Sequence, residues 1–312
     1  MNNFLFSINA TFPVFLLIII GYILKRYKIT NKEFVSITNR INYILTLPAL
    51  LFTDIAKTDI KAVFDLKYVL FCMIVTTISF FALWALAKIF IKNKSIIGAF
   101  VQASFRGSAA VLGVAFIQNM YGDSGMAPLM IVGTVPLYNI YSVIVLTFES
   151  NTGTKKGIKS AFTNICTNPI IIAIFAGVVA SLLQIKFPFI INKTLSNIAS
   201  IATPMALIAI GAGFEGRKAI AKIKPSFISS MIKLVILPAI FLPMAVLMGF
   251  RDQKLVALMI MLAAPTTASC YIMASSMDGD EVLTSSVVVM TTFLSSITLT
   301  LIIFILKNMC LI

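Results

Sequence analysis

The chain of 312 residues is 59% hydrophobic and only 12% charged, with a mean hydropathy of +1.01. That excludes a water-soluble domain, in which apolar residues make up about half and charged residues about a quarter. Twenty-five basic against 11 acidic residues leave a net charge of +14, which in so apolar a chain marks cytoplasmic loops and not a nucleic-acid partner.

The first apolar run, at about 4–24, has no positive residue before it and Lys25, Arg26 and Lys28 after it. This is the reverse of a cleavable signal peptide, so the segment is predicted to be a retained helix with the amino terminus outside. Runs at about 34–56, 66–91, 97–120 and 126–148 follow, then the polar stretch ESNTGTKKGIKSAF at 149–162. Further runs at about 163–184, 195–214, 226–249, 254–276 and 282–306 complete ten candidate helices, each near the roughly 20 residues a span requires. No room remains for a separate soluble domain. With the odd-numbered connections cytoplasmic, 15 basic residues lie inside and eight outside; both termini are therefore expected outside, although the acidic connection Asp278 to Glu281 does not contribute.

The midpoint of the chain is also a point of repetition. Pro13, Gly21 and Pro48 recur as Pro169, Gly177 and Pro204 at a shift of 156 residues, and Gly122-Asp123 recurs as Gly279-Asp280 at 157. The reading is a first five-helix repeat at 1–150, a connecting loop at 151–162 and a second repeat at 163–312. An odd number of spans inverts the second copy in the membrane, the architecture of secondary transporters, whose substrates bind at mid-depth where helices break and cross.

Two runs have such a centre. The ninth carries Pro265, with Thr266, Thr267 and Ser269 placed to satisfy the carbonyls that a proline frees. The fourth carries Gln102, Ser104, Arg106, Gly107 and Ser108, and the repeat shift maps Pro265 onto Ser108 or Ala109. Arg106, about ten residues into its span, is costly unless it pairs or lines water; it serves either as a structural tie to backbone carbonyls or a neighbouring helix or, the favoured reading, as the counter-ion of the substrate. Its natural ligand is an anion, because Asp54, Glu149, Glu215 and Asp252 all fall near helix ends or in loops. Asn139 serves either the site or interhelical hydrogen bonding. Lys233, about eight residues into its helix, is expected to snorkel to the surface, and GAG at 211–213 is either a close helix contact or a hinge. Histidine is absent, which removes the commonest general base and metal ligand. Cys72, Cys166, Cys270 and Cys310 stand alone in apolar stretches and are expected to be buried thiols. No catalytic residue, cofactor or metal is implied.

With these residues in place, the chain resembles the auxin efflux carrier family, which includes the plant PIN proteins and bacterial members called malate permeases. The likeness rests on NYILTLPALLF, FRGSAAVLGVAFIQNMYG, PLYNIYSV, NPIIIAIFAGVV, PMALIAIGAGF, KLVILPA and AAPTTASC, spread over nearly the whole chain. It departs from the plant pattern at Gly107 and Ser108, where the family typically has Asn preceded by Pro, and at Ala115, where it has a later Pro. FRGS around Arg106 is similar to the bacterial branch. The resemblance implies an all-α membrane protein of ten helices in two inverted repeats. Its first, second, sixth and seventh helices would form a scaffold, and the remainder would move as an elevator with substrate at the crossing of the fourth and ninth.

The resulting expectation is a secondary transporter of malate-like or auxin-like carboxylates in a bacterial cytoplasmic membrane. Arg106, Gly107, Ser108, Asn139, Pro265, Thr266 and Thr267 are the substrate-binding residues, and the partners are a small organic anion and the lipid bilayer, with room for a homodimer and none for nucleic acid. The competing readings are a sodium- or proton-coupled symporter and a membrane sensor that binds without transport. No nucleophile with a base supports an enzyme.

Overall fold

The computed structural model describes residues 2–56, 65–109, 116–118, 120–121, 126–149, 163 and 165–312. The connecting loop 151–162, Ala115 and the Gly122-Asp123 pair lie outside them. Among the described residues the structure is all-helical, without a strand. The first half contains α1 (Asn2–Arg26), α2 (Lys32–Ile41), α3 (Leu47–Ala56), α4 (Leu66–Phe90), α5 (Ile97–Phe105) and α6 (Ala127–Phe148). The second contains α7 (Pro169–Leu182), α8 (Phe189–Gly213), α9 (Gly216–Ala221), α10 (Ile223–Met231), α11 (Leu237–Leu247), α12 (Asp252–Ala263), α13 (Ser269–Ser276) and α14 (Glu281–Asn308). Five helical stretches among the described residues are long and apolar enough to cross a membrane: α4, α6, α8, α10 with α11, and α14.

The side chains are arranged as a lipid solvent demands. On α4, Leu70, Ile74, Ile78 and Phe81 face outward at helical spacing, whereas Thr76 and Ser79 are buried with Cys72, Phe80 and Leu83. An exposed apolar stripe over a more polar interior is unfavourable in water and favourable in hydrocarbon. Two helices are joined through a wide π-type turn, α2 to α3 at Asn42–Thr46 and α10 to α11 at Ile232–Ile236. In each case a proline, Pro48 or Pro238, follows two residues beyond the turn. The proline ring crowds the carbonyl four residues earlier and removes one donor, and a wide turn accommodates both effects without breaking the helix.

One set of contacts packs α1 against α8, and α3 against α7 and α8; another packs α4 and α5 against α6, α10 against α14 and α11 against α12. The α1–α8 crossing depends on glycine at both sides. A Cβ on Gly21 would collide with the Ile208 carbonyl, and one on Gly211 with the Ile18 carbonyl, so GAG at 211–213 is a close helix contact. At the polar ends, Lys254 meets Asp65 at 2.6 Å, Lys222 meets Asp280 at 2.6 Å and Lys88 meets Glu149 at 3.0 Å. Asp65 also caps α4; the hydrogen bond from Lys254, then the Tyr68 amide, holds its carboxyl below the ordinary range. Cys72 and Cys270 are buried, but Cys166 and Cys310 are exposed, which corrects the expectation for those two. The first sits just before the α7 cap and the second just past the end of α14, where apolar neighbours in sequence do not enclose a side chain.

Candidate functional site

The site begins with two helix ends, one of which the sequence cannot continue. α12 stops at Ala263 because Pro265 has no N–H and restricts the residue before it; Ala264 is extended, at φ −64° and ψ 147°. α5 stops at Phe105, with Arg106 extended at φ −89° and ψ 128° and Gly107 next in line. The two extended segments meet and exchange backbone partners. Ser108 N–H donates to the Pro265 carbonyl at 2.8 Å, Thr266 Oγ1 donates to the Ala103 carbonyl at 2.8 Å, and Thr266 N–H donates to Thr291 Oγ1 at 3.0 Å.

The carbonyl that Pro265 frees is that of Met261, four residues earlier. It does not go to Thr266, Thr267 or Ser269, as the sequence suggested, but accepts from Tyr138 Oη at 3.0 Å and Lys233 Nζ at 3.0 Å. Thr266 is instead committed to the opposite segment, and Thr267 Oγ1 pairs with Ser269 Oγ at 3.0 Å. Lys233 also donates to the Phe105 carbonyl at 3.2 Å, and its side chain is fully buried. The expected snorkelling does not occur, because two unsatisfied helix-end carbonyls lie within reach inside the protein. Gly107 makes the space: a Cβ there would lie 2.9 Å from Lys233 Cε and Nζ and 3.1 Å from the Ala264 carbonyl.

Arg106 is 3% exposed. Its guanidinium donates to Asn139 Oδ1 at 2.7 Å, Ser269 Oγ at 2.8 Å, Met273 Sδ at 2.8 Å and Ser142 Oγ at 3.5 Å. Asn139 in turn donates to the Val135 carbonyl at 2.8 Å, so its amide oxygen is turned toward the arginine. Every one of these partners is neutral, and among the described residues neither Arg106 nor Lys233 enters an ion pair. A buried guanidinium with neutral hydrogen-bond partners in a low-dielectric interior favours an anion beside it.

A cavity of about 130 Å³ opens beside the guanidinium. All seven residues named from sequence, Arg106, Gly107, Ser108, Asn139, Pro265, Thr266 and Thr267, line it. Ala268 and Ser269 add the start of α13, which has no side-chain cap, so the positive end of that helix faces the same space as the arginine. Sequence reasoning discounted Asp54, yet it also lines the cavity, with Leu47, Leu50 and Leu51. The signal was available: these positions have the i, i+3, i+4, i+7 spacing of one helix face.

A larger cavity of about 600 Å³ lies on the far side of α13, lined by residues including Lys25, Lys32, Ser36, Glu215 and Ser285. In the wall of this larger cavity Asn39 of α2 donates to Tyr271 Oη at 3.2 Å and Ser275 Oγ at 2.9 Å. The carboxyl of Glu215 at the rim is held below its ordinary range by a hydrogen bond from Lys218, with Lys32 adding to the effect.

A family model described as membrane transport protein matches residues 6–303. The chain is 24% identical over 303 residues to an uncharacterized transporter of Methanothermobacter thermautotrophicus, covering 96% of this chain and 98% of that one. It is 24% identical over 307 residues to a protein of Rhizobium meliloti named "Putative malonate transporter", covering 95% and 94%. An uncharacterized transporter of Methanocaldococcus jannaschii is 22% identical over 298 residues, covering 90% and 92%.

Proposed function

This chain belongs to the membrane transport protein family, and from that premise we propose that it is a secondary transporter of small organic anions, with malonate-like dicarboxylates as the leading substrate class. It is a multi-pass membrane protein and a transporter, not an enzyme. The observation that carries the substrate reading is Arg106: a buried guanidinium with only neutral partners, sharing a cavity with the uncapped start of α13. One carboxylate would take the arginine fork and a second would take the α13 end, with Asn139, Ser108, Thr266 and Thr267 setting orientation. The name given to the Rhizobium meliloti relative points to the same chemistry.

In this reading the chain crosses the membrane ten times, as inverted halves at 1–150 and 163–312, with both termini outside a bacterial cytoplasmic membrane. α5 and α12 are the first parts of two interrupted spans that cross at the site. α1, α2 with α3, α7 and α8 form a scaffold, against which the remaining helices move as an elevator. The close α1–α8 contact and the separate packing of α4, α5 and α6 support that division.

Saturable uptake into proteoliposomes, with and without an imposed potential, tests the proposal. Labelled malonate, malate and indole acetate are the probes, and flux is expected for malonate first. No saturable flux of any carboxylate would refute it.

In the same reading the Asn39 bridge, in the wall of the larger cavity, ties α2 of the scaffold to α13 of the mobile set. Replacing Asn39 by Ala should release Tyr271 and Ser275 and expose the neighbouring Cys270, which is fully buried. A rise of about tenfold in maleimide labelling of the Cys270 peptide, read by mass spectrometry, is expected, on the scale of losing roughly 1.4 kcal/mol of buried hydrogen bonding. An unchanged rate would show that the bridge does not hold α13 closed over Cys270.

A further inference from the structure

Lys233 is used by nothing in the anion site, yet it occupies the most distinctive position in the fold. Its ammonium lies between the C-terminal ends of the two interrupted helices, 3.2 Å from the Phe105 carbonyl of α5 and 3.0 Å from the Met261 carbonyl of α12. Both oxygens are there for a local reason. Pro265 removes the N–H that would have served Met261, and the turn to extended backbone at Arg106 ends α5 at Phe105. Both also stand at the negative ends of helix dipoles. In transporters built from inverted repeats, freed carbonyls and half-helix C-termini of this kind are what hold a coupling sodium ion.

We infer that Lys233 is a resident counter-ion, a covalently attached cation in the place where a driving cation would otherwise bind, so that this carrier moves its anion without sodium. The inference rests on the transport reading above. Three further features support it. The ammonium faces the Tyr138 ring, 5.8 Å from its centroid, a surface that attracts a cation. Gly107 leaves room for it, since any Cβ would meet Nζ at 2.9 Å. The lysine side chain is fully buried, which keeps the ammonium at the two carbonyls and away from solvent. An ammonium that cannot leave also divides the labour within the site. It satisfies the negative helix ends permanently and leaves Arg106 and the start of α13 for the cargo.

The test uses the full-length protein in liposomes with malonate counterflow, which requires a working carrier but no gradient. Counterflow by the unaltered protein should stay within about twofold when sodium is replaced by choline on both sides. A tenfold fall would overturn the inference. Lys233→Met, similar in length but uncharged, should reduce counterflow by more than tenfold, and an unchanged rate would overturn the inference equally. Melting supplies a readout that does not depend on transport. Sodium and methylammonium should leave the melting temperature of the unaltered protein unchanged and should raise that of Lys233→Ala; a sodium-dependent rise in the unaltered protein would overturn the inference. If no carboxylate shows counterflow at all, the transport reading itself fails, and the melting experiment still reports whether the two carbonyls are already occupied by the lysine.

Discussion

Replacing Arg106 by Gln should weaken malonate binding by about 100-fold or more, while leaving a folded, monodisperse protein. Truncating one member of a buried, hydrogen-bonded charge pair costs about 2–5 kcal/mol, and in the proposed complex the substrate carboxylate is the partner of this guanidinium. The companion measurement is thermal melting. Without ligand, Arg106 is a buried cation whose partners among the described residues are Asn139, Ser269, Met273 and Ser142. Its removal should therefore leave the melting temperature unchanged or raise it, because an uncompensated charge no longer has to be desolvated. The increase in melting temperature that malonate produces in the unaltered protein should vanish. Arg106→Lys should fall between the two, since a point charge retains attraction but not the fork that reaches Asn139 and Ser269 together. A large fall in ligand-free stability, with malonate affinity intact, would assign Arg106 to holding the helices and not the cargo.

Gly107→Ala is the second large effect, and it acts in the opposite way: little change to charge, much to geometry. The added methyl would stand 2.9 Å from Lys233 Cε and Nζ and 3.1 Å from the Ala264 carbonyl. The lysine end could yield, but only by giving up one of its two carbonyl partners, and the Ala264 oxygen belongs to the backbone of the opposite segment. Overpacking of this kind costs about 1–3 kcal/mol. Transport should fall by about tenfold or more, because the crossing that shapes the cavity must open. Wild-type uptake by a stable Gly107→Ala protein would show that the segments tolerate separation.

Much of the helical framework was legible because a lipid solvent imposes a simple rule. A helix facing hydrocarbon must run many residues without charge, and α4, α6 and α14 declare themselves in that way. The end of α12 was equally legible, since Pro265 is a local cause. The end of α5 was less so: glycine permits an extended segment without requiring one, and the mapping of Pro265 onto Ser108 or Ala109 was the stronger clue. Composition also brought together the seven residues that line the small cavity, because polar side chains in the middle of apolar runs are few.

The departures have different physical origins. The depth of Lys233 was counted along its own helix, but its direction is decided by carbonyls on two other helices, one of them freed by a proline 32 residues downstream in the sequence. Asp54 was set aside for its closeness to the end of α3, although its face was readable from Leu47, Leu50 and Leu51. Cys166 and Cys310 were judged by the polarity of their sequence neighbours, which says little where a helix terminates. Of these, Lys233 is the residue whose deciding contacts are non-local.

The paired glycines of α1 and α8 have a mechanical consequence. With each backbone set against the carbonyl of the other at Gly21 and Gly211, a slip of one residue would drive a side-chain-bearing neighbour, Ile20 or Tyr22 on one helix, Ile210 or Ala212 on the other, into the place that only hydrogen can occupy. The two helices are therefore keyed together like a notched beam, able to tilt as a unit but not to shear. In the proposed elevator this keyed pair is the stiff member that the moving helices push against, and two single hydrogen atoms are what key it.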